Sequence, residues 1–178
     1  MAYSPVPDTG ESERHVITVL VDNETGVLAR IAGLFSGRGY NIDTLTVAEV
    51  DTDKHTSLIT LAAIGTPMVI EQIKAQLGRL VPVREVVDFS MGIPHVEREM
   101  ALIKVVGTGE KRVEALRLSD AFRARVLDTT HISFVFVLTG ASDKIDAFIN
   151  LMRPLGLQEI SRTGVTAIAR GANTNEQE

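Results

Sequence analysis

The sequence predicts an α+β protein built from two consecutive units, each with the element order β-α-β-β-α-β. Apolar residues alternate with period two in some segments and recur every three to four residues in others. The order of these segments is the same in residues 14–90 and in residues 91–170. With no Trp, two Tyr and six Phe, an aliphatic core is expected. This order is the split βαβ arrangement of ferredoxin-like folds, with about 75 residues per unit.

The first unit has strong local signals for all six elements. A strand over 15–22 is apolar on both faces, and β-rich runs over 41–50 and 56–64 follow the first helix. That helix, between Gly26 and Gly37, is expected to place one apolar face on the sheet: Val27, Leu28, Ile31, Leu34 and Phe35. Thr66 as N-cap and Pro67 as first helical residue begin the second helix. Its expected buried stripe is Val69, Ile73, Leu77 and Leu80, and a strand over 81–90 closes the unit.

The second unit repeats the order with weaker signals. Residues 90–99 contain Gly, Pro and charges and are interpreted as a linker or lead-in, before a strand over 99–106 and a helix around 113–122. Strands are predicted over 125–128 and 132–139. Ser142 is predicted to cap a helix whose apolar residues are Ile145, Phe148, Ile149 and Met152. Two β-rich runs, 155–160 and 163–169, complete the pattern.

The composition bounds the class of protein. Residues 1–13 and 171–178 are polar and are predicted to be flexible tails. The N-terminus lacks an apolar signal-peptide core and no apolar run could span a bilayer, so a cytoplasmic protein without membrane association is expected. The net charge is −5 with the two signs interspersed, which argues against nucleic-acid binding. The absence of cysteine excludes disulfides and thiolate sites.

A search for catalytic machinery finds none. The four histidines are scattered, and Asp51 and Asp53 occupy a predicted hairpin tip, where solvated acids are common. Glu97 and Glu99 are interpreted as surface charges. The glycine-rich segment at Gly107 lacks phosphate-loop spacing and is interpreted as a β–α turn. The sequence therefore predicts neither a catalytic site nor a metal site.

The stretch VDNETGVLARIAGLF, residues 21–35, carries the main functional signal. Gly26 permits close approach to the first turn of the helix, whose unpaired N–H groups can bind a carboxylate with roughly 0.3–2 kcal/mol from the helix dipole. The Asn23 amide can donate and accept, and Asn41 begins the strand that is expected to lie beside the first. An amino-acid zwitterion fits these groups better than a nucleotide does. The alternative is that these residues only form the turn and start the strand.

At residues 20–50 the stretch LVDNETGVLARIAGLFSGRGYNIDTLTVAEV strongly resembles the ACT domain of the small regulatory subunit of acetohydroxyacid synthase, also called acetolactate synthase. HVEREMALIKV, from His95, is similar to the start of that family's second domain. LGLQEISRTGVTAIARG, from Leu155, is similar to its closing segment. The resemblance covers residues 14–171. It implies an ACT domain over 14–90 and a C-terminal ferredoxin-like domain over 91–170.

The resemblance implies a non-catalytic subunit of branched-chain amino acid biosynthesis. Such a subunit binds and activates a large catalytic subunit and confers feedback inhibition by valine, the first choice, or by the related isoleucine or leucine. It implies no cofactor in this chain, because thiamine diphosphate, Mg²⁺ and FAD belong to the large subunit. It also implies a homodimer through paired ACT domains, with effector sites at their interface.

The family's effector residues correspond to Asn23, Gly26 and Asn41, with backbone groups of Val27 and Leu28 completing the carboxylate site. The side chains of Leu28 and Ile42 are expected to contact the branched chain of the effector. One methylene discriminates by only about 1–3 kcal/mol, so the three amino acids should compete. The alternative functions are a free-standing amino-acid-responsive ACT regulator and a small enzyme that binds phosphate at the Gly107 turn.

Overall fold

The computed structural model describes residues 10–90 and 92–171. The described chain divides into two compact units, one containing residues up to Val96 together with the segment from Ala167, and the other spanning Glu97–Thr166. Each unit is based on one four-stranded antiparallel sheet. The predicted pair of ferredoxin-like βαββαβ repeats is confirmed.

The first sheet has the strand order β2-β3-β1-β4, and two helices cover one of its faces. Its elements are β1 (Glu13–Asp22), α1 (Val27–Ser36), β2 (Thr44–Asp51), β3 (Thr56–Gly65), α2 (Pro67–Leu77) and β4 (Val83–Asp88). β3 pairs antiparallel with both β1 and β2, so β1 and β2 run in the same direction.

The core of the first unit is almost entirely aliphatic. Ile17, Val19 and Val21 of β1 are fully buried beneath the two helices. From the helices, α1 contributes Val27, Ile31 and Phe35, and α2 contributes Ile70, Ile73 and Leu77. The α2 stripe differs from the prediction, because Ile70 is buried whereas Val69 and Leu80 are only partly buried. Leu28 lies at the margin of the α1 face and is 40% exposed.

The second sheet has the order β6-β7-β5-β8. Its elements are β5 (His95–Val106), α3 (Glu110–Phe122), β6 (Arg125–Thr129), β7 (Ser133–Gly140), α4 (Ser142–Met152), a 3-10 turn (Arg153–Leu155) and β8 (Leu157–Ala169). The Gly107 segment is a β–α turn, as predicted. The core of this unit is mainly aliphatic, as expected, but it also contains three phenylalanines. The ring centroids are 5.3 Å apart for Phe134 and Phe136 and 6.1 Å apart for Phe136 and Phe148.

Several element boundaries differ from the predictions. β5 begins at His95, directly after Pro94, so half of the predicted lead-in is strand. β8 is one strand rather than two runs, because Gly164, with φ 81°, is accommodated within it. Ala141, not Ser142, is the N-cap of α4.

The predicted tails lie largely outside the described residues. β1 begins at Glu13, the last residue of the predicted N-terminal tail, and Gly171 is the last described residue. Residues 1–9 and 172–178 lie outside the description. In the part of the chain that is described, no helix is both long enough and apolar enough to cross a membrane.

Candidate effector site in the first domain

The turn between β1 and α1 is open around its glycine. Gly26 is the N-cap of α1 and has φ 85°, a left-handed conformation that favours glycine. A Cβ atom built on Gly26 would meet no other atom within 4 Å. The position beside Gly26 at the start of α1 is therefore not filled by neighbouring protein atoms.

The unpaired donors of this helix are the second and third backbone N–H groups. The N–H of Val27 donates to the carbonyl of Glu24 at 3.3 Å, and the N–H of Arg30 donates to the carbonyl of Gly26 at 3.0 Å. Among the described residues, no acceptor pairs with the N–H groups of Leu28 and Ala29. The sequence does not predict that Ala29 has a free N–H group. Which N–H groups of the first turn are paired within the chain depends on the backbone conformation of residues 23–26.

The turn is anchored on both sides. The N–H of Asn23 donates to the carbonyl of His55 at 2.7 Å, which ties the turn to the β2–β3 hairpin. The N–H of Asp22 donates to the carbonyl of Pro82 at 2.8 Å, and the Nε of Arg84 donates to the Asp22 carboxylate at 2.6 Å. These contacts hold the backbone at the start of the turn that contains Asn23 and Gly26.

Asn41 and Ile42 lie in the connection before β2. The Asn41 amide donates to the Asp43 carboxylate at 2.8 Å and is exposed, whereas Ile42 packs against the first core. The expectation that the strand following Asn41 lies beside β1 is wrong, because β3 lies between β1 and β2. The pairing of β3 with β1 places β2 at the edge of the sheet, and local patterning does not reveal which strand of a hairpin pairs with a distant strand.

The two halves of the predicted site lie at opposite ends of the first sheet. Thr44, at the start of β2, is opposite Ala62, which is opposite Val16 near the start of β1. The Asn23–Gly26 turn instead follows Asp22, six residues further along β1. At 3.2–3.4 Å per residue, about 20 Å separates the two levels. One chain alone therefore does not bring Asn41 to the Gly26 turn.

The second domain contains a buried ion pair that the sequence did not indicate. Glu99 is 2% exposed, so its interpretation as a surface charge is wrong. The Nε and Nη2 atoms of Arg162 donate to its two oxygens at 2.6 and 2.7 Å, and the Ser142 hydroxyl donates to it at 3.0 Å. The Glu99 carboxylate raises the pKa of the Arg162 guanidinium, and Asp146, 2.6 Å from Nη1, adds to this effect.

No group of three or more side chains suited to a metal ion occurs within residues 10–90 and 92–171.

The fold and the turn define a protein of two ferredoxin-like domains. The first domain presents an open glycine turn and unpaired N–H groups at a helix N-terminus.

Comparisons with known proteins identify the family. The family model described as the AHAS small subunit-like ACT domain matches residues 17–85, and the one described as the small subunit of acetolactate synthase matches residues 98–171. The chain is 45% identical over 170 residues to the acetolactate synthase small subunit of Aquifex aeolicus, covering 95% of this chain and 88% of that protein. It is 42% identical over 159 residues to the acetolactate synthase isozyme 3 small subunit of Escherichia coli, covering 89% and 96%.

Among solved structures, the acetolactate synthase small subunit from Thermotoga maritima superposes with a TM-score of 0.81 at 37% identity, covering 90% of this chain and 99% of that one. The chain belongs to the family of acetolactate synthase small subunits, and its first domain is an ACT domain. This membership supports a regulatory rather than a catalytic role.

Proposed function

We propose that the chain is a regulatory subunit that binds the large catalytic subunit of acetolactate synthase, raises its activity and makes it sensitive to valine or a related branched-chain amino acid. The catalytic partner would carry thiamine diphosphate, Mg²⁺ and FAD, and this chain would contribute none of them. The observation that carries the effector role is the pair of unpaired N–H groups, on Leu28 and Ala29, beside the open space at Gly26.

These groups suit the carboxylate of a free amino acid. Two N–H donors and the positive end of the α1 dipole would bind the carboxylate, and amide oxygens of Asn23 and Asn41 would accept from the ammonium group. Leu28 is 40% exposed and lies beside these donors, where it can contact an isopropyl group. Together these contacts suit binding in the micromolar to millimolar range, about 4–8 kcal/mol.

The site requires two copies of the chain. β2 is the outer strand of its sheet, and no described strand pairs with its free edge. In a two-fold antiparallel pairing of β2 with its copy, the start of one β2 lies beside the end of the other. Because β1 and β2 run in the same direction, α1 begins at that same end. Asn41 and Ile42 of one copy would then approach the Gly26 turn of the other.

The proposal is tested by reconstituting the holoenzyme and titrating its activity with valine. Gly26→Asp places a carboxylate where the effector carboxylate would bind. We expect it to abolish inhibition while the activation of the large subunit persists. Gly109→Asp is the matched control, because Gly109 is also a positive-φ N-cap with open space around its Cβ position, but it lies in the second domain.

Valine inhibition that is unchanged in the Gly26→Asp holoenzyme would contradict the effector site. Failure of the wild-type chain to co-purify with, or activate, a thiamine-dependent large subunit would contradict the subunit assignment. Equal loss of inhibition in both glycine variants would attribute the effect to backbone strain rather than to the ligand position.

A further inference from the structure

Two non-glycine residues among those described have a positive φ, namely His55 at 48° and Arg123 at 59°. Such a conformation is unfavourable for a residue with a Cβ atom and persists where the surroundings impose it. Arg123 is the C-cap of α3, a position where left-handed residues commonly end helices. His55 is the last residue of the four-residue β2–β3 connection, where its N–H donates to the carbonyl of Thr52 at 3.4 Å, so the hairpin loop imposes its left-handed conformation.

Side-chain packing does not account for the conformation of His55. Its side chain is 80% exposed, and its nearest charged neighbour is Glu49 at 3.9 Å. The backbone of His55 instead has a defined partner, because its carbonyl accepts the N–H of Asn23 at 2.7 Å. This bond lies just beyond the last β1–β3 pair, Asp22 with Thr56. It extends the ladder into the turn that carries Asn23 and Gly26.

The hairpin that holds His55 is itself braced. Asp51 accepts the backbone N–H of Lys54 at 3.0 Å, and the Lys54 ammonium lies 3.4 Å from the same carboxylate. The backbone hydrogen bond from Lys54 lowers the pKa of Asp51. The connection between β2 and β3 therefore has hydrogen bonds of its own beside the Asn23–Gly26 turn.

We propose that His55 is a positioning residue of the effector site, whose left-handed backbone directs its carbonyl to the Asn23 N–H and so sets the conformation of the Asn23–Gly26 turn. This inference rests on the proposed effector function. It makes valine affinity depend on the backbone conformation of residue 55, which does not itself contact the ligand.

The test compares three variants of the full chain by calorimetric titration with L-valine. His55→Val introduces a β-branched side chain that disfavours positive φ and withdraws the carbonyl from Asn23. We expect it to raise the Kd about three- to tenfold, the range corresponding to one lost hydrogen bond. His55→Gly accommodates the same φ without strain and should bind valine as the wild type does.

Arg123→Val is the matched control, because it imposes the same kind of backbone conflict in the second domain. It should lower the melting temperature without changing the Kd. An equal rise in Kd for His55→Val and Arg123→Val would overturn the proposal, and so would His55→Gly binding as weakly as His55→Val.

Amide hydrogen exchange supplies a ligand-independent readout that remains decisive if His55→Val folds poorly. The Asn23 amide should be protected in the wild type and in His55→Gly, and it should exchange faster in His55→Val. Equal protection of Asn23 in all three proteins would overturn the positioning role. Valine binding that survives Gly26→Asp would instead overturn the effector site, so the two failures are distinguishable.

Discussion

At the scale of single residues, one carboxylate connects three elements of the second domain. Glu99 on β5 accepts from Arg162 on β8 and from Ser142 at the start of α4. The Glu99 side chain is 1% exposed, whereas that of Arg162 is 33% exposed, so the acid depends on the arginine far more than the reverse. Removing the cation would deprive this buried carboxylate of both guanidinium hydrogen bonds and of the neighbouring positive charge.

Arg162→Met should therefore destabilise the second domain by about 2–4 kcal/mol, below the usual range for a broken buried pair because Arg162 is partly solvated. The double variant Glu99→Met/Arg162→Met removes both charges and should recover most of that loss. Urea unfolding followed by circular dichroism measures both proteins. A single variant within about 0.5 kcal/mol of the wild type would contradict a stabilising role for the pair.

This ion pair also shows what a sequence pattern does not contain at the residue scale. Glu97, Arg98 and Glu99 form a charged run that is typical of a solvated strand. The partner of Glu99 is Arg162, which is 63 residues away in the sequence. In the turn, the chemical nature of Asn23 and Gly26 was readable from the sequence. The sequence does not show which N–H groups remain unpaired, because that depends on which N–H groups donate to the carbonyls of Glu24 and Gly26.

At the scale of elements, the predictions are confirmed where the local periodicity of apolar residues specifies a helix or a strand. The apolar stripes of α1 and α4 and the alternation of β1 were identified with small boundary errors. The extension of β5 to His95 was missed because Gly92 and Pro94 immediately precede it. The placement of β2 at the sheet edge was missed because strand order depends on pairing between distant segments.

The edge position of β2 leads to a prediction about assembly. Val47 pairs with the buried Ile59 and so lies on the helix-covered face of β2, where its side chain is 44% exposed and available to a second surface at the free edge. Val47→Lys would place two like charges at the proposed two-fold contact between β2 strands. It should weaken self-association by about tenfold or more and weaken valine binding with it, because the proposed site is shared between two copies.

Sedimentation velocity across a concentration series measures this effect. Val126→Lys is the control, because Val126 is 42% exposed and lies on β6, the corresponding edge of the second sheet. It should leave association through the ACT domains intact. A Val47→Lys protein that associates and binds valine like the wild type would exclude β2 as the shared edge.

At the scale of the whole molecule, the two domains repeat one fold but differ where a ligand would bind. Both first helices begin at a positive-φ glycine, Gly26 in α1 and Gly109 in α3. The first turn of α1 contains no acidic residue, whereas α3 begins with Glu110, whose own carboxylate complements the helix dipole. Effector binding is accordingly proposed only for the first domain.

If valine changes how strongly this subunit holds the catalytic subunit, thermodynamic linkage requires the reverse effect as well. Saturating large subunit should shift the Kd of valine by the same factor by which valine shifts the affinity of the two subunits, about 5- to 150-fold for typical coupling. Measuring valine binding to the isolated small subunit and to the complex, and subunit affinity with and without valine, closes this cycle. In Gly26→Asp the subunit affinity should not respond to valine. A subunit affinity that is identical with and without valine would mean that inhibition acts on the turnover of an intact complex, and the Kd of valine should then be the same in both states.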